Sequence, residues 1–217
     1  MKIPQRLDRL RHALKGSLPG HSALKELSGY LRPSVEKALA LDPRPRESAV
    51  LALIYPRKGE LHTLLMLRPI YEGVHSGQIS FPGGKREEGD TSLEYTALRE
   101  FTEETGSTAA EISILGSLSQ IYIPPSRVIV TPFVAYTPDI GTCDPDPNEV
   151  AALIEAPLDM LLRGDILKRR QQYIELMGGE VEIPYYDVQG HVVWGATAMM
   201  IAELRELFLW LGDADDL

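Results

Sequence analysis

Three carboxylates, Glu100, Glu103 and Glu104, stand at i, i+3 and i+4, and on a helix that spacing projects all three from one face. Left uncompensated, the Glu100/Glu104 pair repels by roughly 0.2–0.5 kcal/mol. A hard divalent cation removes that repulsion, and carboxylate oxygens are the ligands Mg2+ and Mn2+ take. Arg99, one turn before Glu103, is placed to hold that carboxylate in one rotamer. Three glutamates on a helix are by themselves a common solvated face, so the preceding loop matters. Gly83-Gly84 lets the backbone turn sharply and leaves its carbonyl and N–H groups clear of side chains, as a metal or phosphate oxygen requires.

The element that must carry these groups is predicted as a helix over Thr91–Thr105. Thr91 and Glu94 form a capping-box pattern, Gly106 is placed to end the helix, and Leu93, Ala97, Leu98 and Phe101 make its apolar stripe. Before it, Ser48–Tyr55 and Leu61–Leu67 read as a hairpin around Pro56-Arg57-Lys58-Gly59, and Gln78–Phe81 as a short strand ended by Pro82-Gly83-Gly84. After it, Ile112–Ile123, Arg127–Tyr136, Glu149–Ala156, Tyr173–Met177, Val181–Asp187 and Val192–Trp194 read as strands. Leu158–Leu162 and Thr197–Leu211 read as helices, and Pro138–Asn148 as a Pro/Asp-rich loop. The order implies one α/β domain with a mixed sheet covered by helices on both sides.

The first 45 residues differ. Met1–Lys15 is cationic with Ile3, Leu7, Leu10 and Leu14 at helical spacing, and Ser22–Ala40 also reads as helical. Without Ser enrichment or a small-residue cleavage site, this stretch is expected to be a helical extension packed on the domain at 46–217, rather than a transit peptide or surface anchor.

Composition limits the partners. With 22 Lys+Arg against 31 Asp+Glu, a net −9, a broad nucleic-acid-binding face is not expected, while a small phosphorylated ligand held by a few cations is. No apolar run approaches the roughly 18–20 residues of a membrane span. Cys143 is the single cysteine, so no internal disulfide forms and a reducing compartment, the cytoplasm, is expected.

The combined pattern resembles the Nudix hydrolase family, whose box is Gly-x5-Glu-x7-Arg-Glu-U-x-Glu-Glu-x-Gly-U, with U a bulky apolar residue. Here the box runs from Gly84 to Ser107 and departs in three ways: Asp90 stands where the first Glu belongs, one extra residue precedes Arg99, and Ser107 replaces the last apolar residue. The first two departures match the coenzyme A pyrophosphatase branch. So do Leu64–Arg68, His75-x-Gly77, Phe81-Pro82-Gly83-Gly84-Lys85 and Thr96–Glu100. Val130-Thr131-Pro132, Asn148-Glu149-Val150, Ala156-Pro157-Leu158 and Trp194–Ala198 extend the likeness over Arg46–Leu211. Gly73 stands where that branch usually has an Arg.

The resemblance implies a Nudix-type α/β/α sandwich with an N-terminal helical extension. It also implies hydrolysis of a nucleoside diphosphate derivative, for coenzyme A to 3′,5′-ADP and 4′-phosphopantetheine. The metal set would be Gly84, Glu100, Glu103 and Glu104 with Mg2+ or Mn2+ as cofactor, and Arg99 would act beside them. The proton acceptor would be Glu103, slightly favoured, or Glu149 in the loop outside the helix. Arg68, His75 and Lys85 are the candidate substrate contacts. A nucleotide-binding module without catalysis is the alternative from another class, and ADP-ribose or a dinucleotide the alternative substrate. The chain says nothing against a homodimer.

Overall fold

The computed structural model describes residues 3–20, 33–73, 75–174 and 177–212. The chain runs α1 (Ile3–Ala13), α2 (Val35–Leu39), β1 (Arg46–Arg57), β2 (Glu60–Leu67), β3 (Ile79–Ser80), β4 (Gly83–Lys85) and α3 (Leu93–Thr105). It continues β5 (Ser113–Ser117), β6 (Ile121–Ile123), β7 (Val128–Tyr136), β8 (Ala152–Pro157), α4 (Leu158–Leu162), β9 (Leu167–Ile174), β10 (Gly179–Val188), β11 (His191–Val193) and α5 (Gly195–Trp210).

Strand β1 shows why two layers of helix are needed. Side chains alternate along a strand. Ala49, Leu51, Leu53 and Tyr55 therefore pack with Ala97 and Phe101 of α3 in one core, while Ala52 and Ile54 pack with Leu7, Leu10, Ile201 and Phe208 of α1 and α5 in the other. Both faces are apolar and both are covered, giving the expected α/β/α sandwich. In the main sheet β1 pairs parallel with β7 and antiparallel with β2 and β4, so the sheet is mixed. A separate antiparallel ribbon, β9–β10–β11, lies beside it.

The N-terminal helix α1 is part of the larger core: Leu7, Leu10 and Leu14 are buried there, Arg6 pairs with Asp159 at 2.9 Å, and Arg6 lies over the Phe208 ring at 5.5 Å. Most of the helical reading at Ser22–Ala40 lies outside the described residues; its described end is α2, capped by Ser34. Among the described residues no helix is long and apolar enough to cross a membrane.

Several local readings are corrected. The α3 cap is Ser92, whose hydroxyl accepts from Tyr95 N at 3.1 Å, so the helix starts two residues after Thr91. Ile112–Ile123 is two strands, β5 and β6, because Leu118 N turns to the Pro132 carbonyl and Ser119 is held by the buried Glu203 of α5. The charged run Leu167–Gln172, without apolar alternation, is strand β9 because it pairs with β10 along its length. Glu149 lies in a turn, and β8 begins only at Ala152.

Candidate functional site

Gly83 and Gly84 belong to a strand rather than the turn expected of them. The hairpin strands β1 and β2 pair only over Ile54–Arg57 and Glu60–Thr63, and farther along β4 takes the place beside β1, pairing Ser48 with Lys85 and Val50 with Gly83. Gly83 (φ 151) passes so near β1 that a Cβ would stand 2.3 Å from the Ala49 carbonyl oxygen. At Gly84 a Cβ would stand 2.3–2.4 Å from the carboxylate oxygens of Glu100. Glycine is needed at both positions, at one for the backbone and at the other for a carboxylate.

The carboxylates of α3 sort into different environments. Glu104 is buried; its Oε2 accepts from Gly83 N at 2.7 Å and its Oε1 lies 3.7 Å from Arg68 Nη2. Burial pushes its pKa up to about 7 despite Arg68, with the charges of Glu100 and Glu149 adding to the rise. Glu100 is half-buried and also shifted upward, first by burial, with Glu103 and Glu149 contributing. Glu103 is 56% exposed at its side chain and is gripped by Arg99.

Arg99 is the hub. It donates from Nε and Nη2 to the two oxygens of Asp90, from Nη1 to Glu103 at 2.8 Å, and from Nη2 to the Lys85 carbonyl at 3.2 Å; Nη1 also lies 3.1 Å from Glu100 Oε1. The guanidinium holds Asp90 well below the usual carboxylate range, helped by the Glu87 N–H.

These groups open on a cavity of about 1130 Å3. Arg68, His75, Lys85, Gly84, Glu100, Glu104 and Glu149 line it; Arg99 and Glu103 do not. Arg68 donates to the Gly83 carbonyl at 3.3 Å. His75, in the left-handed region at φ 73, sits with Nδ1 3.2 Å from Gln78 Oε1. Gly73 lines the cavity at φ 156, where an L side chain is strained and a Cβ would meet the Tyr71 ring at 3.0 Å. Arg68 and Lys85 are the Arg and Lys side chains on the cavity wall among the described residues. Gln172, Tyr173 and Ile174 of β9 also line it, together with Ser80 and Ser126, whose buried hydroxyls have no hydrogen-bond partner among the described residues. Ser80 comes with β3, inside the strand expected at Gln78–Phe81; the other four have no motif in the sequence and arrive through the β9–β10 pairing and the β6–β7 turn.

A hard divalent cation suits this donor set. The charge of Glu149 raises the proton affinity of Glu100 and Glu104, and that of Glu100 adds to the rise at Glu104, so a positive charge beside this pair relieves a repulsion the fold builds in. The Gly84 carbonyl, which accepts from Ser48 Oγ at 2.6 Å, adds a neutral oxygen. Among the described residues no three His, Cys, Asp or Glu side chains are gathered closely enough to ligate already.

The NUDIX domain family model matches residues 45–177, more than half of the 217 residues. The chain is 34% identical over 170 residues to "Nudix hydrolase 15, mitochondrial" of Arabidopsis thaliana, across 74% of this chain and 59% of that protein. It is 36% identical over 147 residues to "Uncharacterized Nudix hydrolase NudL" of Yersinia enterocolitica, across 66% of this chain and 72% of that one. The chain spans 59% and 54% of the length of the two Arabidopsis relatives it matches. A Caenorhabditis elegans Ap4A hydrolase crystal structure is similar at TM-score 0.48 and 16% identity, over 77% of this chain and 98% of that one. By its matched family and its relatives, this chain belongs to the Nudix family.

Proposed function

We propose that the protein is a divalent-cation-dependent pyrophosphohydrolase that cleaves the diphosphate linkage of nucleoside diphosphate derivatives. We further propose coenzyme A or its acyl forms as the substrate. The observation that carries the reading is the meeting of Glu100 and Glu104 with Gly83-Gly84 at the wall of the cavity.

A diphosphate resists attack because its oxygens are negative, so the site must neutralise charge and activate a water. Mg2+ or Mn2+ bound among Glu100, Glu104 and the Gly84 carbonyl would screen those oxygens and make a bound water more acidic. Arg68 and Lys85 bring cationic side chains to the same wall, where they can hold phosphate oxygens. Arg99, fixed by Asp90, keeps Glu100 and Glu103 oriented. Glu149 takes the proton of the attacking water: it faces the cavity, while Glu103, favoured by the sequence, is tied to Arg99 outside it.

Gly73 favours ADP-ribose as the second reading, since the cation the branch usually places there is missing. The single cysteine supports action in the cytoplasm. The test is turnover of coenzyme A, ADP-ribose and a dinucleotide with Mg2+, Mn2+ or chelator. Coenzyme A should give the highest kcat/KM, and only with metal. A clear preference for ADP-ribose would leave the broader activity and remove the coenzyme A assignment; metal-dependent binding without turnover would leave a nucleotide-binding module.

A further inference from the structure

Ser107 departs from the family pattern, which has a bulky apolar residue there, and the structure supplies a use for its hydroxyl. Ser107 Oγ donates to the Ile140 carbonyl at 2.8 Å. Beside it, Thr108 N donates to the Thr142 carbonyl at 3.0 Å, and Thr142 N returns a bond to Thr108 Oγ1 at 3.0 Å. A short ladder thus ties the segment leaving α3 to the Pro/Asp-rich loop. Gly106, the left-handed C-cap of α3, lets the loop come close: a Cβ there would stand 2.1 Å from the Asp144 carbonyl oxygen.

The same loop is tied again just past this clamp. Asp146 Oδ1 accepts from Asn148 N at 2.8 Å, and the Asp146 carbonyl accepts from Glu149 N and Val150 N at 3.0 and 2.8 Å. Val150 is buried, and Ala151 N donates to the Leu67 carbonyl at 2.8 Å. Glu149 therefore sits on one tight turn anchored to α3 on its N-terminal side and to β2 on its C-terminal side. Its carboxylate acts electrostatically on both Glu100 and Glu104.

We infer that Ser107 and Thr108 are positioning residues for Glu149: their ladder to Ile140 and Thr142 holds the loop so that the Glu149 carboxylate stays against the metal-binding face of α3. This rests on the proton-acceptor reading of Glu149 given above. A proton acceptor works only within hydrogen-bond reach of the proton it takes, and a misplacement of about 1 Å can cost on the order of 10²-fold in rate. Pro138, Pro145 and Pro147 remove three backbone donors from the loop, and the Ser107 and Thr108 hydroxyls add bonds that help hold it. An apolar residue at 107 cannot supply the bond.

The experiment compares Ser107→Ala/Thr108→Val, Ser107→Thr, Glu149→Gln and the combined triple variant with the unmodified protein. The double variant should lose about tenfold or more in kcat with KM changed by less than about twofold. Ser107→Thr, which keeps a hydroxyl, should retain activity. In the Glu149→Gln background the clamp substitutions should cost less than about twofold more, because the group they position is already lost. Amide hydrogen exchange at Asn148–Val150 in ligand-free protein should speed up in the double variant and not in Ser107→Thr. Equal kcat losses with and without the Glu149 carboxylate would overturn the inference, showing that the clamp supports the fold alone. Unchanged exchange at Asn148–Val150 would also overturn it, and that readout holds even if no diphosphate is turned over.

Discussion

Asp90 and Arg99 form a two-point contact, Nε to Oδ1 at 2.9 Å and Nη2 to Oδ2 at 3.0 Å, nine residues apart in sequence and with the Asp90 carboxylate enclosed. The same carboxylate accepts from Glu87 N and Thr96 Oγ1, so it closes the loop between β4 and α3 as well as orienting the guanidinium. The aspartate therefore does its work one step away from the cavity. It fixes Arg99, and Arg99 fixes the rotamers of Glu100 and Glu103.

Asp90→Asn should consequently lower both thermal stability and turnover, with the turnover loss about tenfold because carboxylates are misplaced rather than removed. The pH profile gives the sign. Asp90 has a folded pKa below its unfolded value of 3.8, so its contribution is present above that value and is lost as pH falls through the folded pKa. Acid unfolding curves below about pH 4 should be shallower in the variant than in the unmodified protein. Identical acid limbs would remove Asp90 from the stability argument.

Glu104 works in the opposite direction. Its folded pKa, about 7, lies above the ordinary glutamate value of 4.5, so between these values the metal-free fold keeps a proton that the unfolded chain has released. Metal-free stability should therefore decline as pH rises across that window. Divalent-cation affinity should increase over the same window and level off above about pH 7, because the metal must displace the proton. Calorimetric titration with Mn2+ at several pH values checks this. Glu104→Gln should flatten the profile and weaken binding together; a steep profile persisting in the variant would assign the proton to Glu100.

Glu103 and Glu149 separate by place. Glu149→Gln should lower kcat by about 10²-fold or more at saturating Mg2+, with metal affinity nearly unchanged. Glu103→Gln frees Arg99 from one of its three carboxylate partners, so a loss of about tenfold, accompanied by weaker metal binding, is expected. If the order of the two losses is reversed, the proton acceptor is on the helix after all.

Much of this arrangement can be read from the chain. The stripe Leu93, Ala97 and Phe101 announces which face of α3 is buried, and the Arg99/Glu103 spacing announces their contact. The sorting of the glutamates does not show in the spacing, because one helical face spans both the buried groove at Gly83 and open solvent. Glu104 falls on one side and Glu103 on the other. Nor does the chain reveal the first part of β9, of which only Tyr173 and Ile174 fall in the strand expected at Tyr173–Met177: Lys168-Arg169-Arg170-Gln171 has no apolar alternation, and its strand exists because β10 offers partners, with Arg169–Glu182 and Lys168–Asp187 pairs across the ribbon. That Gln172 to Ile174 line the cavity follows from the ribbon's placement, which no local pattern in the chain carries. At Gly73 the chain shows a missing cation, while the backbone at φ 156 adds that an Arg there would be strained.

The adjacent glycines should respond differently to the same small change. At Gly83 a methyl group would meet backbone, 2.3 Å from the Ala49 carbonyl oxygen and 2.5 Å from Val50 Cα, and neither can move without separating β4 from β1. Gly83→Ala should therefore cost stability in the range of overpacking, about 1–3 kcal/mol or more, and reduce activity through the fold. At Gly84 the three atoms nearest the methyl all belong to the Glu100 carboxylate, the far end of a flexible side chain that can swing away. Gly84→Ala should keep a near-normal thermal midpoint while weakening Mg2+ or Mn2+ affinity and lowering turnover by about tenfold or more, because the displaced carboxylate is the one that meets the Gly84 backbone. Thermal unfolding and metal titration on the two variants make the comparison. A Gly84→Ala protein that binds metal and turns over like the unmodified one would mean that the contact between Glu100 and Gly84 has no part in the chemistry.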